Sequence, residues 1–380
     1  IIGGIGLVAL TIMIFTPVRS FSQGGKIVWC LLSYCLWSVA YTMVNVPYGS
    51  LHTVIPENLS QRTTLSTFRS IGAGVAMIFV MLLPSFVYEK KTIDGVETQI
   101  LLGNRLFAVS IIFSLLALVF LVSMTKMVTE RVPYGEAPAK TSYVSTLKSF
   151  FTNRPMVGAT IATVSSVIFY NSSLSVNNLV FQYYFNDASK TTIASLAGYI
   201  PLVFFMPFAG KLVAKIGKKK LITISGLISA IGGLLMLVLP ITPDSKGMYI
   251  YIGGLMIVNV GNCIFQIIVW AIIADCIEVS FSKKGIHEES SLYAMYSFFR
   301  KLAQGIGSAV IALSLSAIGF VEGENAVQPA EFCANVKNLY IILLVIGTFG
   351  MVIAMKFVYN IDQKKESELG SLASGNEEII

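Results

Sequence analysis

Ten apolar runs of roughly membrane-spanning length recur along the 380-residue chain and leave few folds open to it. They cover residues 1–17, 28–50, 63–87, 104–125, 156–184, 191–214, 220–240, 249–274, 290–319 and 337–359. A hydrocarbon core about 30 Å thick is crossed by about 20 helical residues, and lipid offers no partner for a backbone N–H or C=O left unpaired. Strands of a membrane barrel alternate apolar and polar residues over about ten positions, whereas these runs are continuous. The sequence therefore predicts an all-α polytopic membrane protein. Only 12% of residues are charged, and the tail from Asp362 to Ile380 is too short and polar to form a domain.

Basic residues set the expected topology, because Lys and Arg accumulate on the cytoplasmic side. Alternate loops carry sixteen basic residues on one side and eight on the other, with Arg69, Arg300 and Lys301 inside spans. The richer side, which holds Lys211, Lys215, Lys218, Lys219, Lys220, Lys283 and Lys284, is read as cytoplasmic, and the C-terminus with it. The net charge of +7 is then topological, and no nucleic-acid partner is needed to explain it. The five cysteines lack C-x-x-C spacing, so neither a disulfide framework nor a metal site is expected.

The longest polar connection on that side, residues 127–153, contains Pro133, Gly135 and Pro138 and divides the chain. The expected organisation is an N-terminal helical bundle over 1–126, a linker over 127–153, a six-helix bundle over 154–360 and a cytoplasmic tail over 361–380. Four spans precede the linker and six follow it. Two more spans before Ile1, which begins inside an apolar run without an initiator Met, would restore the twelve-span plan of many transporters, so ten helices are expected of twelve.

Arg300 and Lys301 are the most telling residues. Lys301 lies about 16 Å into a helix that starts near Ser290, close to mid-membrane. A charge there costs on the order of 3 kcal/mol on insertion scales and calls for a water-filled cavity, a partner or a polar substrate. Polar groups that could line a cavity recur elsewhere. Tyr41, Asn45 and Tyr48 fall at i, i+4 and i+7 on one helix face. The span over 156–184 carries Asn171, Asn177, Asn178 and Gln182, and the span over 249–274 carries Asn259, Asn262 and Gln266. Interhelical hydrogen bonding is the competing explanation for these amides.

Three segments resemble the glycoside-pentoside-hexuronide:cation symporters of the major facilitator superfamily. Tyr41-Thr-Met-Val-Asn45-Val-Pro47-Tyr48-Gly-Ser-Leu51, followed by Gln61-Arg62-Thr and Arg69, is similar to the family's fourth helix and the start of its fifth. Ala274-Asp275-Cys-Ile-Glu278, Lys284-Gly285-Ile-His287-Glu-Glu289, Tyr293 and Ser297-Phe-Phe-Arg300-Lys301 resemble the end of the tenth helix and the eleventh. Gly210-Lys-Leu-Val-Ala-Lys-Ile-Gly217-Lys-Lys-Lys220 is similar to the basic loop between the eighth and ninth.

The resemblance implies a major facilitator-like two-bundle transporter that takes up a glycoside with sodium or protons by alternating access. It implies no further cofactor and leaves oligomeric state open. It places Asn45, Arg69 and Lys301 at the substrate, and Thr42 at the coupling cation, whose other ligands are expected before Ile1; the polar residues of the spans add Tyr41, Tyr48, Asn178, Gln182, Asn262, Gln266 and Arg300 to the expected substrate site. Asp275, Glu278 and Glu289 match acidic positions of a cytoplasmic gate, to which the charge of the same loop adds Lys284. Asn45 stands where melibiose permeases carry an aspartate, and Gly49 where they carry a tryptophan, which argues against a galactoside. The competing readings are a lipid or amphiphile carrier of the same fold and a non-transporting sensor or truncated inactive product. No catalytic motif points to an enzyme.

Overall fold

The computed structural model describes residues 2–18, 20–55, 59–93, 96–128, 143–171, 173–187, 190–284, 289–321 and 328–362. Helices dominate them. α1 (Ile2–Phe15), α2 (Gln23–Val54), α3 (Leu59–Val87) and α4 (Gly103–Met127) come first, followed by α5 (Tyr143–Thr152). A broken helix is next, built from α6 (Arg154–Ser165), a π-helical stretch (Ser166–Asn171), α7 (Leu174–Leu179) and a second π-helical stretch (Val180–Tyr184). α8 (Thr191–Phe205), α9 (Ala209–Ile216), α10 (Lys218–Val238), α11 (Ser245–Lys284), α12 (Glu289–Ala317) and α13 (Ala330–Ile353) complete the chain, the last running into a π-helical turn (Ala354–Val358).

Each of the ten expected spans corresponds to a helical stretch. Seven of these are long and apolar enough to cross a membrane. Of the rest, α1 has 14 residues, while α3 and α12, at 29 residues each, carry charges inside the helix. A short antiparallel hairpin, β1 (Tyr88–Ile93) with β2 (Val96–Leu101), occupies the connection between α3 and α4. It lies between spans and leaves the membrane architecture helical.

Local chemistry fixes several helix starts. Ser22 caps α2 by accepting from the Gly25 N–H at 3.3 Å, and Asn153 caps α6 by accepting from Met156 N–H at 3.2 Å, with Pro155 in the first turn. Before α11, Asp244 accepts from the Thr242 hydroxyl and from Gly247 N–H, and both bonds hold its carboxyl below the usual carboxylate range.

The described residues fall into two compact units, one of residues 1–55 and 69–133, the other of 56–68 and 134–380. In the first, α1 packs between α2 and α4, and Trp37 Nε1 donates to the Thr11 hydroxyl at 2.9 Å. Most of its large side chains, including Leu31, Leu32, Ile112, Leu116 and Phe120, are exposed, as the lipid-facing surface of a membrane protein should be.

In the second unit α13 runs through the core, packed on α6 and α10, while α11 packs on α8 and α10. Val336, Ile341, Leu344, Val258, Leu255 and Tyr251 are all buried there. Close approach of α10 and α11 depends on Gly261. A Cβ at that position would stand 2.7 Å from Ser229 Oγ and 2.8 Å from the Gly226 Cα. Its N–H also donates to the same Ser229 oxygen at 2.6 Å. Gly261→Val is therefore expected to lower stability by about 1–3 kcal/mol through overpacking, read as a fall in the apparent melting temperature of the purified protein.

Candidate functional site

In the first unit the aromatic residues of α2 form a ladder. Trp37 and Tyr41 stack at 5.3 Å with their planes 15° apart, and Tyr34 stacks on Trp37 at 6.0 Å. Tyr41, Asn45 and Tyr48 are half-buried along this helix. Arg69, from α3, places its guanidinium carbon 4.6 Å from the Tyr48 ring centroid. Those residues supply an aromatic face, an amide and a cation. Thr42 is exposed, and its hydroxyl donates to the Ser38 carbonyl at 2.8 Å.

In the second unit the amides divide by environment. Asn178 and Gln182 are exposed, whereas Asn177 is buried and accepts from the Tyr251 hydroxyl at 3.1 Å. Asn262 is buried and accepts from the Ser166 hydroxyl at 2.8 Å. That bond ties α11 to the first π-helical stretch of the broken helix. Asn177 and Asn262 thus act as interhelical glue, while Asn178, Gln182 and the half-buried Gln266 keep surface available.

Arg300 and Lys301 are half-buried in mid-helix α12. The Arg300 guanidinium carbon lies 5.0 Å from the Trp270 ring centroid. Tyr293 and Tyr296, both buried, are aromatic neighbours of that indole, at 6.4 and 6.2 Å between ring centroids. Tyr296 shares a hydrogen bond of 3.3 Å with Thr163.

The expected gate residues are distributed unevenly. Asp275 is fully buried and pairs with Lys218, itself only 2% exposed, inside the second unit. The other Asp275 oxygen has no hydrogen-bond partner among the described residues. Glu278 is half-buried, and Glu289 is buried in the first turn of α12. Lys284 ends α11, and its side chain lies outside the described residues, as does His287. Lys218 was legible only as one of a run of topological lysines; the structure gives it a second role. Lys337 is a further unforeseen contact, buried with its ammonium 3.4 Å from the Ile241 carbonyl and 5.0 Å from the Tyr184 ring centroid.

Residues 1–363 match the family described as MFS/sugar transport protein. The uncharacterized symporter YjmB of Bacillus subtilis (strain 168) is 28% identical over 376 residues, 97% of this chain and 77% of that protein. A glucuronide carrier protein homolog of Escherichia coli (strain K12) is 25% identical, over 96% of this chain and 76% of its own. The isoprimeverose transporter of Lactiplantibacillus pentosus is 26% identical, over 95% and 73% respectively. Among solved structures, the E. coli major facilitator superfamily transporter FucP in its outward conformation aligns with a TM-score of 0.63 at 13% identity, covering 94% of this chain and 83% of its own. That likeness carries the fold. The family match, together with the apolar helices, makes this a multi-pass membrane protein of transport and not an enzyme. The chain belongs to the MFS/sugar transport protein family.

Proposed function

We propose that the protein is a secondary active transporter of the cell membrane that imports a glycoside, whether pentoside, hexoside or hexuronide, by symport with sodium or protons through alternating access. One observation carries this reading: two adjacent cations, Arg300 and Lys301, stand half-buried about 16 Å into the 29-residue helix α12. Side chains of that kind at that depth serve a polar solute. Relatives named for a glucuronide and for isoprimeverose support a sugar.

In this reading Tyr41, Asn45, Tyr48, Arg69, Asn178, Gln182, Gln266, Arg300 and Lys301 are the substrate-binding residues. Asn262 shapes the site from behind through its bond with Ser166. Thr42 contributes to the coupling-cation site, and Asp275, Glu278, Lys284 and Glu289 form the cytoplasmic gate, with the C-terminus on the same side.

The test is uptake into energised vesicles of a radiolabelled β-glucuronide, a β-xyloside and a galactoside, with and without sodium. Gradient-driven uptake of one of them is expected, with initial rates at least about tenfold lower in Lys301→Ala at equal expression, the loss of about 1.4 kcal/mol or more of binding. Absence of uptake of every glycoside by folded protein would remove the sugar assignment and favour a lipid or amphiphile carrier.

A further inference from the structure

Lys337, near the start of α13, buries a charge where an apolar side chain would fill the same space at lower cost. Val336, Tyr340 and Ile341, its neighbours along the helix, all belong to the core. The ammonium meets two groups, the Ile241 carbonyl at 3.4 Å and the Tyr184 ring, whose centroid is 5.0 Å away and within reach of a cation–π contact. The Tyr184 hydroxyl donates to that same Ile241 carbonyl. Ile241 lies in the connection between α10 and α11, where its N–H bonds back to the Leu239 carbonyl at 2.8 Å in a tight turn. One cation thus joins three elements: α13, the α10–α11 connection and the last residue of the second π-helical stretch.

π-helical turns are rare, short and concentrated at functional sites. Of the side chains from Phe181 to Tyr184, three are anchored: Phe181 against Tyr251 of α11 at 5.8 Å, Tyr183 against Phe332 of α13 at 5.7 Å, and Tyr184 at Lys337 and Ile241. The fourth, Gln182, is exposed, as is Asn178 earlier in the same helix. Just past the stretch Asn186 takes φ +52°, a left-handed conformation that asparagine tolerates, so no continuing helix supports the Tyr184 end. Relaxation of the stretch to α-helical register would rotate Gln182 by up to about 100° relative to Asn178.

We infer that Lys337 is a positioning residue for transport: by clasping Tyr184 to the Ile241 carbonyl it holds the second π-helical stretch in register and fixes where Gln182 stands relative to Asn178. This rests on the transport reading above, which puts both amides at the substrate, and adds to it a residue that acts without touching the solute.

Two assays on the full-length protein test it. Hydrogen exchange reads the clasp: in Lys337→Met the amides of residues 180–187 should exchange at least about tenfold faster, while those of α10 keep their protection. Uptake of the β-glucuronide, β-xyloside and galactoside into proteoliposomes reads its use: for each glycoside carried, Lys337→Met should raise KM about tenfold with little change in kcat. Lys337→Arg, able to meet both the carbonyl and the ring, should restore both readings. Tyr184→Phe, which keeps the ring and loses the hydroxyl, should fall between. Because Lys337 acts through Gln182, the double variant Lys337→Met with Gln182→Ala should have a KM no higher than Gln182→Ala alone.

Unchanged exchange over 180–187 in Lys337→Met would overturn the clasp, and a double variant whose KM multiplies the two single effects would overturn action through Gln182. A purely structural lysine would lower the amount of active protein, seen in kcat, and leave KM alone; that result also overturns the inference. Should Lys337→Met fold poorly, Tyr184→Phe carries the same tests. No uptake of any of the three glycosides by folded wild type would overturn the transport reading and the positioning role with it. Uptake indifferent to Lys337 would overturn the role alone and leave the transport reading standing.

Discussion

Removing one partner of the Lys218–Asp275 pair, as in Asp275→Leu or Lys218→Met, is expected to destabilise the second unit by about 3–5 kcal/mol. The double variant Lys218→Met with Asp275→Leu should regain most of that loss. Both side chains are buried, at 2% and 0% exposure, so neither charge can turn to water when the other is deleted. Lys218 is also the first residue of α10, where the helix dipole already opposes a cation. Asp275→Leu should therefore be the worse single change.

The readout is the apparent melting temperature in detergent, with a drop on the order of 10 °C for Asp275→Leu. A double variant no more stable than the singles would mean that the pair is not coupled. Transport adds a second distinction. If Asp275 acts only as a pin within its unit, the double variant recovers uptake with stability; if it also works as a gate, stability returns and uptake does not.

The second large effect concerns the segment after the last helix. Tyr359 and Ile361 are buried at 0% and 2%, and Lys219 pairs with Asp362 at 3.2 Å. Arg154, at the head of α6, donates to the Phe357 and Val358 carbonyls at 3.0 and 3.2 Å. Gly158 makes this docking possible, since a Cβ there would meet the Tyr359 backbone nitrogen at 2.6 Å and its Cα at 2.8 Å. Backbone atoms in a packed segment cannot move aside as a side chain can.

Gly158→Val is expected to cost about 3 kcal/mol or more and to expose the segment to carboxypeptidase. Gly253→Ala is the control, because nothing lies within 4 Å of its added Cβ. Equal behaviour of the two variants would refute the docking.

What the sequence disclosed followed from physical scale. Membrane thickness forces long apolar runs, so all ten spans were legible, including α3 and α12 despite their internal charges. The hairpin carries a turn signal in Asp94-Gly95, but Glu89, Lys90, Lys91 and Glu97 are poor strand formers and mask the flanking strands. The π-helical stretches at Ser166–Asn171 and Val180–Tyr184 left no periodic signal, since one extra residue in a turn is set by packing.

Residue chemistry was legible, but pairing was not. Nothing in Lys218-Lys219-Lys220 distinguishes the buried first lysine from its neighbours. It is the turn at Gly217, with φ +81°, that ends α9 and starts α10 with Lys218 beside Asp275, 57 residues away in sequence. Likewise, the amide-rich span gave no hint that Asn177 would accept from Tyr251 while Asn178 stays exposed.

The Arg154 bonds to Phe357 and Val358 close loops of 203 and 204 residues. During synthesis the head of α6 therefore leaves the ribosome long before the carbonyls that complete it exist. Such distant partners make closure slow and leave the half-built unit open to wrong pairings. Until residues 357–362 arrive, the second unit lacks the Arg154 and Lys219 ties and the buried Tyr359 and Ile361. A chain ending short of residue 357 would keep the helices through Ile353 and lose this latch.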